Sequence, residues 1–387
     1  MQKHDQDYIR RKNKKIVFQI IRSKSPISRA DIARTTKMSP TTISRIVQEL
    51  IDQGFIKEME LQSMSTPGRR AILLELDQTS VLTVGIELDK SSFKIGIVDF
   101  EGRIIHIRNV KREAGISPDE SMVQISQELQ TIIEQEKIDS NKIIGIGIGI
   151  PGLVNLENGE VILSAQLGWN DIDVVAKMKV LTGFEVAIDN ELKVKALAEY
   201  SYGGVKGTTR TAIIGFGSGV GSALVIDGKI YRGDTNSAGE IGHTIVDPNG
   251  VQCECGKVGC LQTYIAENSL IIEANKVTPI SSLDELFEKH QEGQLWASTI
   301  IDRAIAYIGI TIANVISVYN PGTVVVSGNL VEKYAEIRST IEQNELQKYV
   351  WKPLQNSYRL VVSSLGSNGV VIGASLLAQN EFLNIEI

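Results

Sequence analysis

Residues 28–50 read SRADIARTTKMSPTTISRIVQEL, and two helices with a turn between them follow from this stretch. Ser28, with Asp31 three residues on, is placed to cap a short helix over SRADIART. After a tight connection at Lys37-Met38, Ser39 is a good N-cap, and Pro40 sits at the first helical position, where its missing N–H costs nothing. Ile43, Ile46, Val47 and Leu50 recur at i, i+3, i+4 and i+7 and give the second helix an apolar face. The other face carries Thr41, Thr42, Ser44, Arg45 and Gln48, whose hydroxyls, guanidinium and carboxamide suit base edges and phosphates. A helix, a turn and a second helix with a polar outer face is the helix-turn-helix arrangement, in which the second helix enters the major groove. Ser39, Thr41, Thr42, Ser44, Arg45 and Gln48 are therefore the candidate DNA contacts.

Upstream, KKIVFQIIRS (residues 14–23) sets Ile16, Val17, Ile20 and Ile21 on one helical face before Pro26 breaks the chain. Downstream, Gly54 ends the second helix, and FIKEMEL and AILLELD read as the two strands of a hairpin. Its tip, Ser65-Thr66-Pro67-Gly68-Arg69-Arg70, presents two adjacent guanidiniums, and Arg69 and Arg70 fit phosphate or minor-groove contact. Each signal alone fits an ordinary core scaffold; the order, the caps and the Arg-Arg wing together predict a winged helix-turn-helix over residues 1–79. That segment holds 15 Lys+Arg against 9 Asp+Glu, whereas the remainder holds 25 against 37. A basic head on an acidic body is the balance of a nucleic-acid reader joined to a small-molecule domain.

Beyond the wing, strands and helices alternate. Val81–Glu87 and Phe93–Asp99 read as strands, 118–136 as a polar helix, and IIGIGIGIPG as a buried strand. A second round opens at Thr211 with AIIGFGSGVGSALVIDG and continues through a long helix near 297–319 to the strand TVVVSGN. This repeat predicts two α/β lobes around a cleft. At 42% hydrophobic and 22% charged, the chain can bury a sizeable core. Its apolar runs read as too short and broken to span a bilayer, and no secretory signal opens it, so a cytoplasmic location is expected.

All three cysteines fall between residues 253 and 260. His243, Cys253, Cys255 and Cys260 form the pattern H-x9-C-x-C-x4-C, with Gly256 and Gly259 allowing the tight turn. One imidazole and three thiolates make a closed tetrahedral Zn2+ site, a structural role rather than a hydrolytic one.

The segments STPGRRA, SAGEIGH with CECGKVGCLQ, and NELKVKALAE together resemble the ROK family of repressors and sugar kinases, along essentially the whole chain. The resemblance implies an α/β fold: a winged helix-turn-helix followed by a two-lobed, actin-like ATPase body of the ROK sugar-kinase type. Lobe 1 would span residues 80–188, completed by a C-terminal helix at 367–387, and lobe 2, with the zinc site, residues 189–366. It further implies a sugar held between the lobes by Asn190, Glu191, Glu240 and His243, with Gln262 where the kinases usually have Glu. His243 would then face both metal and ligand.

Kinase chemistry is not expected, and no catalytic residue is assigned. The family's first phosphate cradle, D-x-G-G-T, is here Glu87-Leu88-Asp89-Lys90-Ser91, with both glycines gone. The catalytic Asp of N-D-x-N is replaced in Asn190-Glu191-Leu192-Lys193, and a carboxylate displaced by about 1 Å can cost on the order of 100-fold in rate. The second glycine loop, Gly215–Gly221, is intact and fits a phosphate site or a strand turn equally. The expected function is a sugar-responsive repressor of carbohydrate-utilisation genes, binding a palindromic operator as a dimer or tetramer and released by a monosaccharide. Xylose is the first choice, since Asn-Glu resembles the xylose-repressor branch. An active sugar kinase and a regulator controlled by a protein partner are the alternatives.

Overall fold

The computed structural model describes residues 10, 13–14, 16–22, 24–59, 72–77, 80–113, 115–205, 208–343 and 345–383. In the head, residues 16–22 are helical and bury Val17, Phe18 and Ile21. Ser28 Oγ accepts from Asp31 N at 3.1 Å and starts helix Arg29–Thr36, which Lys37 closes at φ 58°. Ser39 Oγ accepts from Thr42 N at 3.1 Å and starts helix Pro40–Asp52, whose buried residues are Ile43, Ile46, Val47 and Leu50. Gly54, at φ +77°, then turns the chain into the hairpin, a backbone state that glycine adopts without steric cost. Strands β1 (Ile27–Ser28), β2 (Ile56–Met59) and β3 (Leu73–Leu76) form one sheet in the order β1-β3-β2. Ile56 faces Leu76 and Met59 faces Leu73. The tip carrying Arg69 and Arg70 lies outside the described residues.

The body is one strand plan made twice. β4 (Leu82–Leu88), β5 (Ser92–Asp99) and β6 (Ile104–Lys111) are antiparallel, and β7 (Ile143–Ile150) joins β4 in parallel. A separate antiparallel sheet follows, of β8 (Leu153–Asn155), β9 (Glu160–Ser164) and β10 (Trp169–Asp173). β11 (Val186–Asn190) then returns beside β7, giving the order β11-β7-β4-β5-β6. The second sheet repeats this with β12 (Arg210–Phe216), β13 (Val220–Ile226), β14 (Lys229–Tyr231), β15 (Thr323–Ser327) and β16 (Arg359–Val362), in the order β14-β13-β12-β15-β16. The repeat inferred from the alternation of segments is thus a repeat of topology. The small sheet β8–β10 was not foreseen.

Two helices are exchanged between the lobes. Helix Glu191–Tyr202 follows the first sheet but packs on β12 and β13, whereas helix Gly369–Phe382 follows the second sheet and covers β4, β7 and β11. The glycines of the first sheet explain how closely the latter lies. A Cβ on Gly85 would stand 2.0 Å from the Val371 carbonyl oxygen, and one on Gly147 1.8 Å from that of Ala374. The alternating Ile-Gly pattern of β7 is therefore a flat seat for a helix backbone.

Helix Leu295–Tyr319 corrects one expectation, because it is long and apolar enough to cross a membrane by length and composition. Here it buries Ile300, Ile301, Ile308, Ile312 and Ile316 as the central helix of the second lobe. The head is seated on the first lobe. The rings of Phe18 and Phe100 meet edge-on at 5.3 Å, and Val81, Ile144 and Leu383 complete the head's core.

Candidate functional site

On helix Pro40–Asp52, Thr41, Ser44, Arg45 and Gln48 are exposed, as a groove-reading face requires. Ser39 and Thr42 are engaged in the cap: their hydroxyl oxygens lie 2.8 Å apart. Gln48 Nε2 donates to Asp52 Oδ1 at 2.9 Å, which holds the carboxamide in one orientation on that face. Glu49 is paired with Arg10 at 2.6 Å, which offsets an acidic group beside the expected phosphates.

The metal-ligand pattern closes into one cluster. One ligand atom each from His243, Cys253, Cys255 and Cys260 lies within 4.8 Å of the others. His243 Nδ1 is 3.8 Å from Cys253 Sγ, and Cys255 Sγ is 3.6 Å from Cys260 Sγ. A tetrahedral zinc with Zn–S bonds of about 2.3 Å requires S···S edges of about 3.8 Å, so the donor set fits that ion in chemistry and in spacing. Gly259, at φ +74°, makes the knot possible: a Cβ there would fall 1.5 Å from the Asp247 carbonyl oxygen. Burial and the neighbouring cysteines push the Cys260 thiol up to about 12, and a bound cation would reverse this.

The expected ligand residues gather at the N-terminal end of helix Glu191–Tyr202. Asn190 is that helix's cap: Oδ1 accepts from the amides of Leu192 and Lys193 at 3.0 and 3.2 Å, and Nδ2 donates to the Gly152 carbonyl at 3.0 Å. Burial, with Asp89 and Glu87 adding repulsion, pushes the Glu191 carboxyl up to about 8, and Lys195 opposes them. Glu240 is raised by burial, against the attraction of His243 and Lys193. Glu191, Glu240 and His243 thus share one electrostatic environment. With Nδ1 turned to the cysteines, Nε2 is the His243 nitrogen left for a ligand. Gln262 is turned to the metal cluster, its Nε2 donating to Cys253 Sγ at 3.4 Å.

Residue reading missed the group beside this pocket. The Lys193 ammonium is buried and donates to Asn236, to its carbonyl and to Oδ1. Arg232 Nη1 donates to the same Oδ1 at 2.9 Å, and its Nη2 stands 2.7 Å from Asp189, which is fully buried. Asn236 Nδ2 reaches the Val154 carbonyl at 3.0 Å, so the small sheet β8–β10 is tied into the pocket wall. Only the Lys where the family pattern has Asn marked this group in the sequence; Asp189, Arg232 and Asn236 carry no local signal.

The turn between β4 and β5 consumes its own donors. Asp89 N bonds to Ser92 O at 2.9 Å and Lys90 N to Asp89 Oδ1 at 2.7 Å, while Lys94 Nζ holds Glu87 at 2.8 Å. Arg112 Nη1 also reaches the Lys90 carbonyl at 3.2 Å.

At the far end of the pocket helix, Tyr202 accepts a hydrogen bond from Arg22 Nη2 of the head at 2.8 Å, with the guanidinium 6.0 Å from the ring centroid. Gly102 packs under the same ring, since a Cβ there would come within 2.7 Å of it. One helix therefore has the candidate ligand residues at one end and the reader at the other.

A family model described as ROK family matches residues 83–381, and one described as winged helix-turn-helix DNA-binding matches residues 9–57. The xylose repressor of Bacillus subtilis (strain 168) is 26% identical over 381 residues, 98% of each chain. The DNA-binding transcriptional dual regulator NagC of Escherichia coli (strain K12) is 26% identical, over 98% of this chain and 95% of that one. Among solved structures, a ROK family transcriptional regulator, homolog of E. coli MLC protein, superposes with a TM-score of 0.82 at 24% identity, covering 96% of each chain. A ROK family glucokinase from Streptomyces griseus, in complex with glucose and AMPPNP, gives a TM-score of 0.66 at 23% identity, over 77% of this chain and 99% of that one. The first of these likenesses extends through the head, and the second stops at the body.

Proposed function

This chain belongs to the ROK family, and from that premise we propose that it is a cytoplasmic, sugar-responsive repressor of carbohydrate-utilisation genes. Residues 1–79 act as the reader, 80–188 with the C-terminal helix as one lobe, and 189–366 as the other, although β11 carries the first sheet on to Asn190. Ser39, Thr41, Thr42, Ser44, Arg45 and Gln48, with Arg69 and Arg70 of the wing, contact operator DNA. A monosaccharide enters the cleft and is held by Asn190, Glu191, Glu240 and His243, with Gln262 positioned behind His243. The likeness to xylose repressors makes xylose the first sugar to try.

The single observation that carries this reading is the helix Glu191–Tyr202, which runs from the ligand residues to the Arg22 contact. Twelve residues at about 1.5 Å each span about 18 Å as one rigid element. A sugar that draws the two lobes together acts on the helix cap at Asn190 and so shifts Tyr202 under the reader. Only a ligand that prefers the non-binding conformation changes DNA affinity, typically through about 1–3 kcal/mol of coupling. A homodimer or homotetramer would present two such readers to a palindrome at whole helical turns, about 34–36 Å apart.

His243, Cys253, Cys255 and Cys260 would hold a structural zinc, which cross-links the loop carrying Glu240 and His243 and stiffens the pocket wall. Two features argue for a sensor over a kinase. The Glu87–Ser91 turn has bonded the Asp89 and Lys90 amides locally, and Glu191 stands where the kinases have Asp. The test is a gel shift on duplexes selected from a randomised pool by the protein itself, run with xylose, other monosaccharides and sugar phosphates. Release by one of them is expected; if none alters the shift, the sensor half of the proposal is wrong.

A further inference from the structure

The second glycine loop, Gly215–Gly221, has the sequence of a phosphate cradle, and its surroundings decide whether one can enter. Its tip between β12 and β13 is flanked on both sides. Glu267, at the start of helix Glu267–Ala274, bonds its amide to the Gly217 carbonyl at 3.0 Å. The same residue's Oε1 lies 3.5 Å from where a Gly217 Cβ would be. Burial raises its carboxyl, which accepts a hydrogen bond from Asn329, the first residue of helix Asn329–Lys333 after strand β15, and is attracted by Lys333. On the other side Gln166 accepts from Ser218 Oγ at 3.2 Å, and its Nε2 lies 2.8 Å from a would-be Cβ on Gly219. Asp89, from the first lobe, is close enough to repel both Glu267 and Glu191.

A nucleotide phosphate needs free donors and positive potential at such a turn. Here an internal carboxyl already lies against the glycine face, hydrogen-bonded by Asn329 and attracted by the charge of Lys333, and a second acid, Asp89, repels it from the first lobe. Glutamate has the charge and the acceptor oxygens of a phosphate group, and it is tethered, so it competes without loss of translational freedom. Gly215 and Gly221 serve the packing of the hairpin as well, since a Cβ on either would meet Leu192, at 3.0 and 3.2 Å.

We propose that Glu267 occupies from within the chain the space that a phosphate would need at the Gly215–Gly221 turn, and so excludes nucleotides from the cleft. The proposal does not depend on which sugar, if any, the protein senses. Titration calorimetry on the full chain with MgATP and with magnesium tripolyphosphate tests it, comparing wild type, Glu267→Ala, Glu267→Gln, Asp89→Gly and the double variant Asp89→Gly/Glu267→Ala. Wild type should bind neither below the millimolar range. Removing the Glu267 carboxylate should raise affinity for both by at least about tenfold, on the wild-type and on the Asp89→Gly background alike. Glu267→Gln serves if Glu267→Ala unfolds, with melting temperature as the check on folding. Micromolar binding by wild type, a gain confined to MgATP, or no gain in any folded variant would each overturn it.

Discussion

Replacing Tyr202 by Phe removes one hydroxyl at the joint between pocket helix and reader. The bond lost is a charge-assisted one from Arg22 at 2.8 Å, part-buried and spanning 180 residues of chain. Hydrogen bonds to charged groups contribute about 1.5–3 kcal/mol when buried, and partial exposure takes this one below that range, to about 1 kcal/mol. The Phe ring keeps the cation–π contact, about 0.5–1 kcal/mol at an exposed site, and keeps its packing over Gly102. The expected cost to the joint is therefore about 1 kcal/mol, a factor of about 5 in an equilibrium constant. If this contact transmits sugar binding, the drop in operator affinity caused by the sugar should shrink by roughly that factor. The sugar's own effect on melting temperature should stay at the wild-type value, because the pocket is untouched. Fluorescence anisotropy with a labelled selected duplex, with and without the sugar, measures the first quantity, and a thermal shift measures the second. A variant whose sugar response on DNA matches wild type within about twofold, with the thermal shift intact, would refute the joint as the route.

The Glu191 carboxyl is raised from 4.5 to about 8, so between those values the folded state holds a proton that the unfolded state has lost. Stability should fall as pH rises through that window, and Glu191→Gln should remove the slope, gaining on wild type by at most about 5 kcal/mol at high pH. Stabilities of the two proteins, from urea unfolding, whose difference stays constant from acid to alkaline pH would count against a raised Glu191 carboxyl. Stripping the metal with a chelator, or substituting Cys255→Ser, should lower the melting temperature by roughly 10 °C, the shift expected when several kcal/mol of metal linkage are lost. Elemental analysis showing no zinc in the untreated protein would remove the basis for that expectation. Arg45→Ala should weaken binding to the selected duplex by about 1–3 kcal/mol while leaving random-duplex binding nearly unchanged. Equal losses on both duplexes would reassign Arg45 to phosphate contact.

Local chemistry made the head and the metal cluster legible. Ser28, Ser39 and Pro40 act within four residues of the helices they start, and the apolar spacing of Ile43, Ile46, Val47 and Leu50 needs no distant partner. The cysteine knot spans 18 residues, from His243 to Cys260, so its closure is set by its own turns. In the second lobe the long helix was readable from its apolar run and was placed within two residues of its start.

Long-range placement was not legible. Gln262 was expected at the ligand by motif, and its contact with Cys253 Sγ, through the amide, had no signal in the sequence. Lys193 looked like a lost Asn, and the structure makes it a buried ammonium anchored on Asn236, 43 residues away. The acid that lies on the glycine loop, Glu267, comes from a helix beyond the metal knot, and nothing near it in sequence mentions phosphate. By itself, then, the sequence determined the helices and strands of the head, the main strands of the two lobes, the metal pattern, and that a reader precedes a two-lobed body, because caps, periodicity and metal spacing act over a few residues. Only the tertiary structure decided which side chains meet around the candidate pocket, that Glu267 lies beside the glycine loop, and that one helix runs from Asn190 to the Arg22 contact of the head. Those facts depend on the exchange of two helices between lobes, which brings together residues that no local pattern relates.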